Sequence, residues 1–142
     1  MKITRFEDID AWKEARKLVK IVYDTINRCP KFKKDFRLVN QIQDAAVSSM
    51  SNISEGFSRK SNREFIQFLY ISKSSAAEVQ SEVYVALDQE YITQEDLITF
   101  ITRLTSSPKW IQDSSNICIL NSINSSNPIN PSNSSNAIDR ST

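Results

Sequence analysis

Residues 61–87 read SNREFIQFLYISKSSAAEVQSEVYVAL, and this run decides the fold. Ser61-Asn62-Arg63-Glu64 has the Ser-x-x-Glu form of a capping box, in which the hydroxyl takes an otherwise orphaned amide of the first turn. Phe65, Phe68, Leu69, Ser72, Ala76, Val79, Val83 and Leu87 then recur mostly at steps of three and four. That spacing lays them on one face of a helix about seven turns long. A strand needs strict alternation, and no run of strand length competes with this pattern.

The segment before it carries the same period with smaller side chains. Leu38, Ile42, Ala45, Ala46, Ser49 and Ile53 share a face, and their size lets a neighbouring helix approach the backbone closely. Gly56, the single glycine, sits where a left-handed C′ residue would close this helix, with Phe57 at the C″ position that packs back on it. Earlier still, Trp12, Ala15, Val19, Val22 and Ile26 form a stripe with Leu18 and Tyr23 alongside. This helix is expected to end near Cys29-Pro30, because the residue before a proline is pushed out of the α region.

Beyond the central run, Glu90-Tyr91-Ile92 breaks the period and Thr93-Gln94-Glu95-Asp96 offers a new N-cap. Leu97, Phe100, Ile101 and Leu104 begin a fourth helix, with Trp110, Ile111, Ile117 and Leu120 able to continue it past Pro108. Proline inside a helix removes a hydrogen bond and clashes with the preceding turn, so this helix is expected to be the least regular. Four amphipathic segments with short connections predict an all-α fold, an antiparallel up-down-up-down four-helix bundle over residues 1–120. From Asn121 the chain is nearly all Asn, Ser, Pro and Ile. Such a composition cannot offset a backbone ordering cost of ~1–2 kcal/mol per residue, and residues 121–142 are expected to form a disordered C-terminal tail.

Composition excludes several chemistries. One glycine leaves no G-x-G-x-x-G fingerprint and no Walker loop. Without histidine there is no Ser-His-Asp triad, no Cys-His pair, no H-E-x-x-H zinc site and no di-iron carboxylate centre. No catalytic residue, metal ligand or cofactor is therefore expected, and the chain reads as a non-enzyme. Cys29 and Cys118 fit no metal spacing and read as two reduced thiols. The start, Met1-Lys2-Ile3-Thr4-Arg5-Phe6-Glu7-Asp8, has no apolar stretch of the signal-peptide kind, and no run nears the ~20 apolar residues of a membrane span. The expectation is a cytoplasmic protein without a membrane partner.

The net charge of +1 hides an asymmetry. Residues 1–63 carry 14 Lys+Arg against 8 Asp+Glu, while residues 64–104 carry 2 against 7, so a basic half faces an acidic one. Lys13, Arg16, Lys17 and Lys20 share one side of the first helix. Lys31, Lys33, Lys34 and Arg37 crowd the first connection, and Arg59, Lys60 and Arg63 the second. In an antiparallel bundle those connections lie at opposite ends. The charge split suits attraction between helix neighbours within one bundle, attraction between subunits, or contact with a polyanion. Glu78 and Glu82, four apart, read as solvated acids. Asn52 and Glu55 read as hydrogen-bonding the neighbouring connection.

Phe6, Trp12 and Ala15, then Gln41-Ile42-Gln43-Asp44-Ala45-Ala46-Val47-Ser48-Ser49-Met50-Ser51-Asn52-Ile53-Ser54-Glu55-Gly56, then Arg59, Ser61, Glu64-Phe65, Phe68-Leu69 and Tyr91-Ile92 form one ordered set. Over roughly residues 5–105 it resembles the four-helix-bundle family encoded in intervening sequences of bacterial 23S rRNA genes, which includes the accessory variability determinant of diversity-generating retroelements. The resemblance implies a non-enzymatic protomer assembling into a homopentamer. In the retroelement member it further implies a basic surface that binds nucleic acid and a reverse transcriptase. The chain departs from the family where the usual Gln-Leu-Arg-Arg-Ala-Ala is Gln41-Ile42-Gln43-Asp44-Ala45-Ala46, and where Met50 replaces a proline. Losing two cations there removes candidate phosphate contacts.

Two functional expectations follow. The first is a homo-oligomeric bundle binding RNA or DNA through phosphates, with Lys13, Arg16, Lys17, Lys20, Arg59, Lys60 and Arg63 as contacts. The second is an assembly or adaptor protein acting through protein–protein contacts without nucleic acid.

Overall fold

The computed structural model describes residues 3–106, so the expected kink at Pro108, Cys118 and the tail at 121–142 lie outside the described residues. A short 3-10 turn at Phe6–Asp8 leads into α1 (Asp10–Arg28), a one-turn α2 (Pro30–Lys34), α3 (Phe36–Ser58), α4 (Asn62–Asp88) and α5 (Gln94–Ser106). The fold is all-helical among these residues. Local chemistry sets the helix limits. Cys29 is extended, as a residue before proline should be, and Pro30 opens α2 where its missing N–H is no loss. This short helix was not anticipated; the basic connection is itself a helical turn. Asp35 caps α3 by accepting from the Leu38 amide at 3.1 Å. Ser61 caps α4 by accepting from the Glu64 amide at 3.3 Å, and its hydroxyl donates to the Glu64 carboxylate at 2.7 Å. Thr93 and Asp96 cap α5 reciprocally, with amide-to-side-chain bonds of 3.1 and 3.2 Å.

Three contacts gather one end of the bundle. Arg28 at the end of α1 pairs with Asp96 at the start of α5 at 2.9 Å. Phe32 of α2 stacks on Tyr91 with ring centroids 5.2 Å apart. The Tyr91 hydroxyl donates to Asp35, the cap of α3, at 3.2 Å. The finish of α1, the start of α3, the turn after α4 and the start of α5 therefore lie together, and helices adjacent in the chain run antiparallel. Burial raises the Tyr91 phenol above its ordinary value, and the Asp35 carboxylate beside it adds to the effect. For Asp96 burial pushes upward, but the bonds from Thr93 and Arg28 together outweigh it and leave the carboxyl low.

The core runs along the middle, with Ile9, Leu18, Val22, Phe32, Ile42, Ile53, Val79, Val83 and Phe100 almost wholly enclosed. Each contributes roughly 1.5–3 kcal/mol relative to exposure. On α1 the buried stripe is Ala11, Ala15, Leu18, Val22 and Ile26; Trp12 and Val19 are half-buried at its edge and Tyr23 is exposed. Between α3 and α4 the contact is made of small groups, as the small face of α3 led one to expect. The Ser72 hydroxyl donates to the Ser49 carbonyl at 2.5 Å, and the hydroxyls of Ser48 and Ser75 meet at 2.9 Å. These bonds satisfy the buried hydroxyls of Ser72 and Ser75.

The reading of Gly56 as the left-handed residue that ends α3 is overturned. The helix continues to Ser58, and Gly56 does not have positive φ. Its role is steric, because Phe65 and Phe68 of α4 fill the space a side chain would need. The left-handed C′ position belongs instead to Glu90, with φ 58° after α4. The Tyr91 amide reaches back to the Ala86 carbonyl and the Glu90 amide to that of Leu87, both at 2.9 Å, the two bonds of a Schellman motif.

Candidate nucleic-acid interface

The seven cations singled out in the sequence are all exposed. Antiparallel packing places the start of α1, with Lys13 and Arg16, at the same end as the α3–α4 connection, with Arg59, Lys60 and Arg63. Lys20 lies about 10 Å further along α1 than Lys13. The α2 cations are displaced by the length of α3, about 33 Å away. No single patch joins both ends.

The cations differ in how much charge they present. Lys17 pairs with Glu14 at 2.5 Å and Lys20 with Asp24 at 2.8 Å. Lys13 lies 3.4 Å from Asp10. These i,i+3 and i,i+4 pairs cost little to open, about 0–1 kcal/mol each, yet they make most of the α1 stripe locally neutral. Arg59 pairs with Glu55 at 2.7 Å and lies over the Phe68 ring, 5.0 Å from its centroid. Arg16 lies 5.8 Å over Trp12, an arrangement that leaves its charge available to an anion. Arg16, Lys60 and Arg63 are in no ion pair among the described residues. So are Lys31, Lys33, Lys34 and Arg37 at the other end, where Phe36 stands among them 74% exposed.

Two side-chain expectations need correction. Asn52 does not reach the neighbouring connection; its amide donates back to the Ser48 carbonyl at 2.7 Å and to the Ser48 hydroxyl at 2.9 Å, within α3. Glu55 does reach it, through Arg59. Glu82 is not a solvated acid. It is 9% exposed, and its Oε2 has no hydrogen-bond partner among the described residues. Burial first, then the carboxylates of Glu78 and Asp44, push its carboxyl up to about 7. The signal was present in the period: Val79, Glu82, Val83 and Ala86 form one i, i+3, i+4, i+7 set.

Among the described residues no three His, Cys, Asp or Glu side chains are placed to hold a metal ion, and no helix is long and apolar enough to cross a membrane. An open groove between α1 and α5 is lined by Ile21, Asp24, Thr25, Asn27, Arg28 and Thr99. Its charged groups are each paired outside it, Asp24 with Lys20 and Arg28 with Asp96, and its lining offers no nucleophile with an adjacent base.

Compared with known proteins, residues 7–113 match the family described as 23S rRNA-intervening sequence protein. No curated protein shows significant similarity to the chain.

Proposed function

The chain belongs to the family of 23S rRNA-intervening sequence proteins, and we propose that it acts as a non-enzymatic homo-oligomer that binds RNA or DNA through backbone phosphates. The observation that supports this best is the group of exposed cations at the end of the bundle where α1 begins. Among the described residues Arg16, Lys60 and Arg63 are in no ion pair, and Arg59 precedes Lys60 in the same connection. Unmatched cations hold counterions' worth of charge for phosphates, and their release from the polyanion drives association. No side-chain arrangement for reading bases accompanies them, so the binding has little sequence preference. The assembly is a homopentamer, as the family resemblance implies.

The test is affinity for a generic RNA and a generic DNA over a salt series, with solution mass measured by light scattering at each point. Binding that falls linearly on a log–log plot, with a slope of about −0.7 to −0.9 per phosphate contact, supports the proposal. Affinity absent at low salt removes the nucleic-acid role. The second reading, an assembly or adaptor protein with a protein partner such as a reverse transcriptase, draws on the pairing of Lys13, Lys17 and Lys20 with acids of their own helix. In that case the oligomer ignores nucleic acid at every salt concentration.

A further inference from the structure

On the α3–α4 pair three carboxylates gather, none of them in an ion pair among the described residues. Asp44 of α3 and Glu78 of α4 are exposed at the rim. Glu82, one turn along α4 from Glu78, forms the floor, nine-tenths buried with Oε2 unpartnered. Both rim carboxylates act on it electrostatically. The three are not grouped closely enough to hold a metal ion. Apolar side chains flank them. Val47 lies one turn along from Asp44 and Val85 one turn along from Glu82, while Ile71 precedes Glu78 by two turns on the same side. All three are more than a third exposed. A buried carboxylate with no donor and an apolar surround is what one half of a contact looks like when the other half is a cation set on an apolar side chain.

The same chain carries that other half. At the α2–α3 corner Lys31, Lys33, Lys34 and Arg37 have no ion pair among the described residues, and Phe36 projects among them, 74% exposed. The corner is firmly held: Phe32 is buried against Tyr91, and Asp35 both caps α3 and accepts from the Tyr91 hydroxyl. We infer that a second copy of this chain docks its α2–α3 corner on the Asp44–Glu78–Glu82 seam, its cations meeting the carboxylates and its Phe36 meeting the apolar flank. This deepens the self-association proposed above and rests on it. Corner and seam are different patches, so the contact is heterologous, and repeated around an axis it closes a ring.

The experiment is solution mass for the wild type, for a seam variant (Asp44→Lys with Glu78→Lys), for a corner variant (Lys31→Glu, Lys33→Glu and Lys34→Glu) and for the two variants mixed. All five positions are exposed, and helical circular dichroism verifies folding. The expected result is an oligomeric wild type, each variant falling to protomer mass, and an oligomer containing the two in equal numbers on mixing, since each variant's corner then meets a seam of opposite charge on the other. Variants that keep the wild-type mass, or a mixture that stays at protomer mass, overturn the inference while leaving self-association intact. A wild type at protomer mass at every concentration overturns both.

Discussion

A Cβ built on Gly56 would stand 2.6 Å from the Cβ of Phe68, and 2.9 Å from Cδ2 of Phe65. The two helices approach here too closely for any side chain. The atom met is anchored to the α4 backbone, so a rotamer change cannot relieve the clash. Gly56→Ala would gain up to about 1 kcal/mol in helix propensity but incur about 1–3 kcal/mol of overpacking. The expected outcome is a net loss, read in urea unfolding at fixed protein concentration. A variant at least as stable as wild type would mean that α3 and α4 separate freely.

Glu90 behaves oppositely. A glutamate in the left-handed region carries a steric penalty of roughly 1–2 kcal/mol that glycine escapes. Glu90→Gly is expected to raise stability by about 1 kcal/mol, and Glu90→Ala to change it little, because alanine keeps the Cβ. Equal midpoints for Gly and Ala would contradict this.

Glu82 makes the stability of the folded chain pH-sensitive. Between the ordinary carboxylate value of 4.5 and about 7, the folded chain holds a proton that the unfolded chain has lost. Stability from this group is therefore full below 4.5 and is lost as pH rises through about 7. In dilute protein Glu82→Gln should exceed wild type by about 1–2 kcal/mol at pH 8 and match it at pH 4. A difference that does not vary with pH would show that Glu82 is ionised in both states.

Asp35 joins two elements, capping α3 and accepting from Tyr91. Asp35→Ala is expected to cost about 1–2 kcal/mol, and Tyr91→Phe, which keeps the stack on Phe32, about 0.5–1.5 kcal/mol. Because they share one hydrogen bond, the double variant should cost less than the sum, measured as a double-mutant cycle in thermal unfolding.

The cations of the candidate interface should separate by salt dependence. Lys60→Gln with Arg63→Gln is expected to reduce the log–log salt slope by about 1.4–1.8 units. Lys17→Gln with Lys20→Gln should change the slope much less, since those charges are already matched by Glu14 and Asp24. Equal changes in slope would make the ion pairs irrelevant to binding.

The four long helices, the caps of α4 and α5 and most of the buried face were legible in the sequence because they are local, whereas the one-turn α2 and the Asp35 cap of α3 were not anticipated. Ser61 with Glu64 and Thr93 with Asp96 are three residues apart, Cys29-Pro30 ends α1 by its own sterics, and Leu38, Ile42, Val79 and Val83 repeat at the helical period. The pairing of Lys17 with Glu14 and Lys20 with Asp24 was equally local, at spacings that fix it once the helix forms. What only the tertiary structure decided depends on residues distant in the chain. Whether Gly56 ends a helix or admits a neighbour turns on Phe68 arriving from α4. Whether Glu82 is solvated turns on its burial between α4 and its neighbours, with Asp44 brought up on α3. Periodicity specifies which side of a helix is apolar, but packing decides which backbones touch and which charges lose their water, and those two facts determine both the weak point of this bundle and its candidate contact surfaces.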